Sequence, residues 1–344
     1  MPWRITVVDA RRQVHDITDA VIAQPSKTQL TAADVKAAIK DFEPEYICIE
    51  HTGEPHWRPL TIAYGASFTL SLQEPSSYRA HKIALVYFIN CYINKNFIYL
   101  FRNQMRDLYA TRILTESQAT LHITSSGTRA DSEALQKEAK NIFADCGIIR
   151  FDHTEENLFE YPGIHRVWEI GQQNNSTYVL YFHARGISRI KLGRFRRNRQ
   201  SVEKRLFRRV IGDWRENLLW LSALPTSDKI GLTQGGNGWL WYNFWWAKTA
   251  YIARLEEPER TNRRHYYEDW LARVIDGNQQ PEPENLRNYP DTMDKCISIA
   301  AAPRWKKYHI GSDFHPGRGE THMGLPFYAL RRIGYNIAKF LKLR

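Results

Sequence analysis

The stretch that decides the fold runs Tyr178-Val-Leu-Tyr-Phe-His183-Ala-Arg185-Gly186-Ile-Ser188. Its first five residues are apolar or aromatic and predict a buried strand, which then ends abruptly in polar residues and a glycine. An open α/β sheet binds its ligand outside the carboxyl ends of its strands. We therefore expect a ligand site where His183, Arg185 and Gly186 follow this strand.

Upstream of this stretch, segments with strand patterns alternate with segments that have helical spacing. The predicted strands are Ile83–Ile89, Ala119–Thr124, Gly147–Phe151 and Tyr178–His183, and the predicted helices follow Asn90 and span Ser132–Phe143 and Tyr161–Gln172. This alternation predicts a mostly parallel, doubly wound sheet flanked by helices. No Gly-x-Gly-x-x-Gly or Walker A sequence follows any of these strands, which disfavours dinucleotide enzymes and P-loop NTPases.

Three regions are expected along the chain. Residues 1–80 read as a small α/β region of unknown role, and residues 81–275 read as the main domain. Residues 276–344 contain loops and then a basic amphipathic helix from Phe327 to Arg344. Such a helix either lies on an anionic bilayer or docks on the core of its own protein, and both interpretations stay open.

The net charge of +11 is unevenly distributed. Residues 1–80 hold 8 Lys and Arg against 10 Asp and Glu, so the basic excess belongs to the remainder. A phosphate-bearing partner follows from this excess: a nucleotide, a nucleic acid or an anionic lipid surface. The most basic run, residues 190–209, is a solvated face, a clamp for phosphates or a contact with an anionic acceptor or surface.

Cysteine usage and hydropathy bear on location. Cys48, Cys91, Cys146 and Cys296 are far apart and form no Cys-x-x-Cys pair, which favours reduced thiols in a cytoplasmic protein. Asn90, Asn94, Lys95 and Asn96 interrupt the most apolar segment, so it does not predict a transmembrane span. We expect a cytoplasmic protein that is soluble or peripheral at the inner face of the membrane.

Four motifs together resemble a group of bacterial and viral glycosyltransferase-like proteins. They are Tyr181-Phe-His183-Ala-Arg185-Gly186-Ile-Ser188, Asp213-Trp-Arg215, Asn243-Phe-Trp-Trp-Ala247 and Arg264-His-Tyr-Tyr-Glu268-Asp-Trp270. The resemblance covers roughly residues 83–275. It implies a GT-A-like, Rossmann-like α/β fold. It also implies transfer of a sugar from a nucleotide-diphospho sugar to a glycan or lipid-linked saccharide acceptor in cell-surface polysaccharide synthesis.

The resemblance also suggests roles for individual residues. Glu268, or its neighbour Asp269, is the candidate base that deprotonates the acceptor hydroxyl, and Arg185 is placed to hold the diphosphate. The residues expected to bind substrate are Tyr87, His183, Arg185, Gly186, Asp213, Arg215, Asn243, Trp245 and Trp246. Structural alternatives stay open: a buried strand-end His183, core tryptophans, an Asp213–Arg215 ion pair and a solvated Glu268–Asp269 pair.

The chain departs from this group at two points. Tyr242 stands where a glycine usually precedes Asn-Phe-Trp-Trp, and the Asp-x-Asp metal motif of GT-A enzymes is absent where Phe182-His183-Ala184 stands. Mn²⁺ or Mg²⁺ is therefore an open expectation. Its weak candidate ligands are His183, His309, Asp313 and His315.

Two other functions compete with the transferase. A nucleic-acid-binding or DNA-modifying protein would explain the basic charge, but aromatic residues do not interleave with residues 190–209 and no standard nucleic-acid motif occurs. A catalytically inactive, glycan-binding relative would explain the missing Asp-x-Asp. Salt-dependent DNA binding would favour the first alternative, and sugar binding without nucleotide binding would favour the second.

Overall fold

A computed structural model describes residues 2–22, 27–39, 44–53, 58–73, 78–173, 176–185, 187, 201–232, 239–275, 296–299 and 308–310. Its strands are β1 Trp3–Asp9, β2 Val14–Asp16, β3 Gln29–Thr31, β4 Pro44–His51, β5 Leu60–Ala63, β6 Thr69–Ser71, β7 Lys82–Asn90, β8 Gln118–Ser126, β9 Ile148–Thr154, β10 Tyr178–His183, β11 Lys229–Gly231, β12 Trp245–Lys248, β13 Cys296–Ile299 and β14 Tyr308–Ile310. Its α-helices are α1 Thr18–Ile22, α2 Ala32–Ala38, α3 Phe97–Ala110, α4 Ile113–Glu116, α5 Arg129–Ile142, α6 Tyr161–Gln173, α7 Ser201–Leu206, α8 Trp214–Ala223, α9 Thr249–Ile252 and α10 Arg264–Asp269.

Twelve of these strands form one sheet in the order β2-β1-β4-β5-β14-β13-β11-β12-β10-β7-β8-β9. The four strands β10, β7, β8 and β9 are parallel, as the sequence predicts. β12 is antiparallel to both of its neighbours, and β1, β2, β4 and β5 also pair in antiparallel fashion. The prediction of a mostly parallel sheet therefore holds for the central strands and not for the whole sheet.

The order of the central strands contains a reversal at β7. From β7 the chain moves to β8 and β9 on one side, and then returns to place β10 on the other side of β7. The carboxyl ends of β7 and β10 therefore border a topological switch point, where open α/β sheets form a ligand crevice. Asn90 ends β7 and His183 ends β10.

β7 is apolar from Ile83 to Ile89 because helices cover both faces of the sheet. Leu85 and Tyr87 point into one core, whereas Val86 and Phe88 point into the other. A strand with two buried faces loses the alternation of apolar and polar residues and reads as a continuous apolar run. This is why the central strands are recognisable in the sequence.

The helices on the two sides of β7 in the chain cover different faces of the sheet. The apolar residues of α3 and α5 join the core that contains Leu85, and those of α6 join the core that contains Val86. Gly163 lets α6 approach the sheet closely, because a Cβ there would lie 2.7 Å from Cβ of Phe88 and 2.9 Å from the Tyr181 ring. The amino-terminal end of α6 is therefore held tightly over β7 and β10.

The segment after the basic run packs as its spacing predicts. Leu206, Val210, Trp214 and Leu218 are all at most 1 % exposed. The helix is not continuous, however, because a π-helical turn at Phe207–Gly212 separates α7 from α8. Residues 190–200 of the basic run lie outside the described ranges, so the interpretations of that run stay predictions.

The amino-terminal region packs against α8. Trp3 of β1 lies with its ring centroid 5.8 Å from that of Trp220. Arg58 contacts Glu216 with both its backbone and its guanidinium, and its Nη2 lies 2.8 Å from Oδ2 of Asp213. Arg209 donates to the same Asp213 oxygen at 2.9 Å. We call Arg58, Arg209, Asp213 and Glu216 the docking cluster.

No helix among the described residues is long and apolar enough to cross a membrane. The predicted amphipathic helix from Phe327 to Arg344 lies outside the described ranges. Contact with an anionic membrane surface therefore stays a prediction.

Candidate functional site

The loops at the carboxyl edge of the central strands are tied to one another by side chains from the end of β7 and from the loop that follows it. Asn90 donates from Nδ2 to Oδ1 of Asn157 at 2.7 Å. The Tyr92 hydroxyl lies 2.9 Å from the carbonyl oxygen of Gly127 and 2.6 Å from that of Glu155. Asn94 donates to the carbonyl oxygen of Ile187 at 2.9 Å. These contacts hold the described ends of the loops around the switch point in fixed relative positions.

A polar cluster lies at the end of β10. Glu160, which directly precedes α6, accepts at Oε2 from Nδ2 of Asn243 at 2.8 Å and from the hydroxyl of Tyr181 at 3.3 Å. Its Oε1 lies 3.4 Å from Nδ1 of His183. We call Glu160, Tyr181, His183 and Asn243 the carboxyl-edge cluster. The fold brings together His183 and Asn243, two of the predicted site residues, through a carboxylate that the sequence analysis did not select.

The position of the proton on His183 follows from its partners. Nε2 lies 3.1 Å from the carbonyl oxygen of Tyr242, which can only accept, so Nε2 carries a hydrogen. Nδ1 then faces Glu160, whose carboxylate would stabilise a second proton there. Burial lowers the pKa of His183, the charges of Glu160 and Glu268 oppose this shift, and the charge of Arg185 adds to it. Nδ1 of His183 is therefore the position at which this side chain can gain or lose a proton, and it lies 3.4 Å from Oε1 of Glu160.

The backbone turn beside the cluster is strained. Tyr242 has φ of 79° and Asn243 has φ of 50°, in the left-handed region that residues other than glycine rarely adopt. Glycine, which the sequence resemblance leads us to expect at position 242, would adopt such angles without a Cβ clash. In this chain Tyr242 takes the strained conformation, and its ring supports the guanidinium of Arg185 at 4.1 Å.

Glu268 and Asp269 have different environments although they are adjacent. The charge of Glu268 acts to raise the pKa of His183, against the larger effect of burial. Asp269 accepts from Nε of Arg273 at 3.0 Å, and Arg273 also pairs with buried Glu256. Burial raises the pKa of Asp269. Of the two predicted bases, Asp269 is held by Arg273, and Glu268 is the one whose charge acts on His183.

Three predicted substrate-binding residues lie in the core. Tyr87, Trp245 and Trp246 are each 0 % exposed. The Tyr87 hydroxyl donates to Gln104 at 2.8 Å, and Nε1 of Trp246 donates to the carbonyl oxygen of Val210 at 2.7 Å. Trp245 and Trp246 enter opposite cores, one on each face of the sheet. Neither tryptophan presents a free ring face to a sugar in this arrangement, which is the core alternative left open above.

Asp213 and Arg215 do not pair with each other. Asp213 belongs to the docking cluster, whereas Arg215 pairs with Glu116 and lies over the Trp214 ring at 4.5 Å. Glu116 ends α4 just before β8 begins, so Arg215 lies near the amino edge of the sheet. Arg215, and with it Asp213 two residues earlier, therefore lies near the amino edge of the sheet, whereas His183 lies at the carboxyl edge.

The remaining candidates fall largely outside the described ranges. These are Gly186, Asp313 and His315, and of His309 only the backbone, in β14, is described. Within the described ranges no group of three or more His, Cys, Asp or Glu side chains could hold a metal ion. At His183 both ring nitrogens face protein oxygens, so the described residues around it do not form a metal centre.

Sequence reasoning missed Glu160. It lies in a polar segment, Glu155-Glu-Asn-Leu-Phe-Glu160, immediately before the helix pattern of α6. An acidic residue at a helix start is also what favourable interaction with the helix dipole produces, so residue type gave no functional signal. One signal is visible only in the structure: Phe159, next to it, has φ of 52°.

Comparison with known proteins gives only remote similarity. No family model matches the chain. No curated protein matches it either. A solved mannosyltransferase from Pyrobaculum calidifontis in complex with GDP-mannose and Mn²⁺ is similar over 67 % of this chain and 60 % of its own, with 9 % identity and a TM-score of 0.36. Core-mannan synthase A from Aspergillus fumigatus in a Mn/GDP form is similar over 58 % of this chain and 66 % of its own, with 10 % identity and a TM-score of 0.23. The chain spans less than two thirds of either protein, and similarity at this level assigns it no function.

Proposed function

We propose that this protein is a glycosyltransferase that uses a nucleotide-diphospho sugar and a glycan or lipid-linked saccharide acceptor. One observation carries the proposal. His183 and Asn243, which come from two separate motifs, both contact Glu160 at the end of β10, and the charge of Glu268, from a third motif, acts on His183. A crevice at that place is the expected ligand site of an open α/β sheet.

In the reaction the acceptor hydroxyl loses a proton and the leaving diphosphate gains negative charge. One residue of the site is proposed to act on each of these groups. The acceptor hydroxyl oxygen bonds to the anomeric carbon of the sugar, and its proton passes to the carboxylate of Glu268. The bond from the anomeric carbon to the diphosphate breaks, and the nucleoside diphosphate leaves with the electron pair. Arg185, fixed over the ring of Tyr242, offsets the negative charge that develops on the diphosphate.

The carboxyl-edge cluster would hold these groups in place. Glu160 links the end of β10 to the start of α6 and to the strained turn at Asn243. Asn243 also donates to the carbonyl oxygen of Tyr267, which directly precedes Glu268. Displacement of Glu160 would therefore move both the end of β10, near the proposed phosphate ligand Arg185, and the segment that carries the proposed base Glu268.

The first experiment is a thermal-shift panel of UDP, GDP, CDP and TDP and their sugars, each with and without Mn²⁺ or Mg²⁺. A ligand at about 100 times its dissociation constant should stabilise the fold by about 2.7 kcal/mol. We expect one nucleotide to stand out, and the arms with metal show whether a divalent ion takes part in binding.

A base variant then tests the chemistry separately from binding. Glu268→Gln should lower turnover by roughly 10²–10⁴-fold while the nucleotide shift stays unchanged, because only proton transfer is lost. Glu133→Gln, at an exposed position on α5, is the matched control and should keep full activity. Absence of a shift with every nucleotide, in a folded sample, would overturn the proposal and direct attention to salt-dependent nucleic-acid binding.

A further inference from the structure

A cleft lies next to the carboxyl-edge cluster, between α6 and the carboxyl end of β9. It has a volume of about 220 Å³, and we call it the α6 cleft. Its lining includes His153, Tyr161, His165, Arg166, Glu169 and Arg260. His153 belongs to the carboxyl end of β9, and Tyr161 directly follows Glu160. The cleft and the carboxyl-edge cluster therefore share the first turn of α6.

Aromatic rings form a row along this side of the helix. The ring centroids of Tyr161 and His165 are 5.1 Å apart, and those of His165 and Trp168 are 5.7 Å apart. The spacing by four and then three residues places all three on one face of α6. All three residues are half-buried, and Tyr161 and His165 are the two that line the cleft. Flat rings of this kind pack against the apolar faces of sugar rings.

The charges in the α6 cleft are balanced. Nη1 of Arg166 lies 2.9 Å from Glu169, and Arg260 pairs with Glu156 at 3.7 Å. The cleft lining contains two arginines and two acidic residues, Asp152 and Glu169. Because each arginine already faces a carboxylate, the lining favours a neutral ligand with many hydroxyl groups over an anion. The volume is below the roughly 300–1,000 Å³ typical of sites for larger ligands, which suits a single ring.

We propose that the α6 cleft binds one neutral sugar ring of the saccharide acceptor, stacked on the rings of Tyr161 and His165, which line it. This inference rests on the proposed transferase function and identifies the acceptor as a neutral saccharide bound from the α6 side. The paired side chains of Arg166 and Glu169 supply donors and acceptors for hydroxyl groups. Arg260 lies over the Tyr161 ring at 5.2 Å and is 62 % exposed, so it borders the cleft entrance.

The experiment measures saccharide binding without nucleotide, by ligand-observed NMR. The probes are neutral oligosaccharides built from glucose, galactose, mannose or N-acetylglucosamine, together with oligosaccharides that contain uronic acids. We expect a neutral oligosaccharide to bind the full chain, and Tyr161→Leu to weaken it about tenfold through loss of ring stacking. Tyr109→Leu, at an exposed tyrosine near the carboxyl end of α3, is the matched control and should leave binding unchanged.

Three outcomes would overturn the proposal: no saccharide binding, stronger binding of the acidic probes, or equal affinity in Tyr161→Leu and the parent protein. In the transfer assay, Tyr161→Leu should raise the KM for the acceptor about tenfold and leave the nucleotide thermal shift as it is. Failure of the transferase function would instead appear as loss of the nucleotide shift in the parent protein. The NMR measurement does not depend on that shift, so the two failures are distinguishable.

Discussion

The carboxyl-edge cluster and the docking cluster both contain residues from the sequence motifs, yet their charges are arranged differently. In the docking cluster, Asp213 and Glu216 face the guanidinium groups of Arg58 and Arg209. In the carboxyl-edge cluster, Glu160 faces a tyrosine hydroxyl, an amide and a histidine whose pKa is lowered by burial. Asp213 and Glu216 each face a guanidinium, although burial raises the pKa of both, whereas the contacts of Glu160 are a hydroxyl, an amide and an imidazole.

Backbone geometry separates the two clusters further. Of the five non-glycine residues with positive φ in the described ranges, Phe159, Tyr242 and Asn243 lie in or beside the carboxyl-edge cluster. None of the docking-cluster residues is among them. Strain of this kind costs of order 1–3 kcal/mol per residue and persists where the surrounding structure fixes it. Both clusters contain motif residues, so membership of a motif does not distinguish a packing contact from a candidate site. The presence of arginine partners and the backbone strain of neighbouring residues do distinguish the two clusters.

The largest expected effect comes from neutralising one carboxylate in each cluster. Glu216→Gln should lower the free energy of unfolding by about 3 kcal/mol, because it breaks a largely buried ion pair with Arg58. Glu160→Gln should change stability by less than about 1 kcal/mol, since its amide oxygen still accepts and its NH₂ can donate to Nδ1 of His183. Urea unfolding of both variants measures the difference.

In a transfer assay the ranking of these two variants should reverse, with the larger loss of turnover in Glu160→Gln. Glu160→Gln should reduce turnover at least about tenfold, since the proton at His183 loses its stabilising charge. Glu216→Gln should keep its activity at temperatures where it is folded. Equal losses of stability in the two variants, or full activity of Glu160→Gln, would remove the distinction between the clusters.

An intermediate effect concerns histidines in contrasting environments. Burial lowers the pKa of His122 from 6.5 to about 3, and the charges of Arg166 and Arg150 add to this shift, whereas Glu160 and Glu268 oppose it at His183. Between pH 6.5 and about pH 3, the unfolded and folded pKa values of His122, the unfolded chain binds a proton at this residue that the folded protein does not. Acidification from pH 6.5 to pH 5 should therefore cost about 2 kcal/mol through this residue.

Comparison with His122→Gln isolates that contribution. Glutamine keeps an acceptor for Nε of Arg166, which bonds to Nδ1 of His122 at 3.2 Å, and it does not titrate. Denaturant unfolding at pH 7.5 and pH 5 should show a smaller loss in the variant by about 2 kcal/mol. If both proteins lose the same stability on acidification, His122 titrates in the folded state much as it does in the unfolded chain.

The smallest expected effect concerns the strained turn. Tyr242→Gly and Tyr242→Ala both remove the ring over Arg185, and they differ only in backbone freedom. Because Tyr242 has φ of 79°, the glycine variant should be about 1 kcal/mol more stable than the alanine variant. Thermal unfolding of the two variants, compared with each other, gives this difference. A more stable alanine variant would contradict the left-handed conformation at this position.

The sequence was sufficient for the central strands and helices because their burial leaves a clear pattern. β10 has the predicted bounds, Tyr178–His183, and β7 extends its prediction by one residue at each end. The direction of β12 was not predictable, since Trp245 and Trp246 are buried on opposite faces and such a run has the same pattern in either direction. Its pairing depends on which strand lies beside it.

The candidate site was only partly predictable for a related reason. His183 marks itself by ending an apolar strand, and Asn243 and Glu268 belong to motifs. Glu160 has no local pattern, and its role depends on Gly163, which brings the start of α6 to within contact of Tyr181. Conversely, Trp245 and Trp246 have the composition expected of a sugar-binding surface, and only the fold shows that both rings are enclosed.

The ties between the carboxyl-edge loops bear on how the proposed enzyme would select its donor. Asn90, Tyr92 and Asn94 fix four loop ends to one another within the folded chain. Ordering the backbone of a residue costs about 1–2 kcal/mol, and here that cost is met during folding and not when a ligand arrives. A rigid edge gains affinity in this way but cannot adjust to a different pattern of hydroxyl groups. Discrimination between epimeric sugars would then come from the shape that the site has before the ligand binds. We therefore expect narrow donor specificity, and we expect insertions in these loops to be poorly tolerated for the same reason.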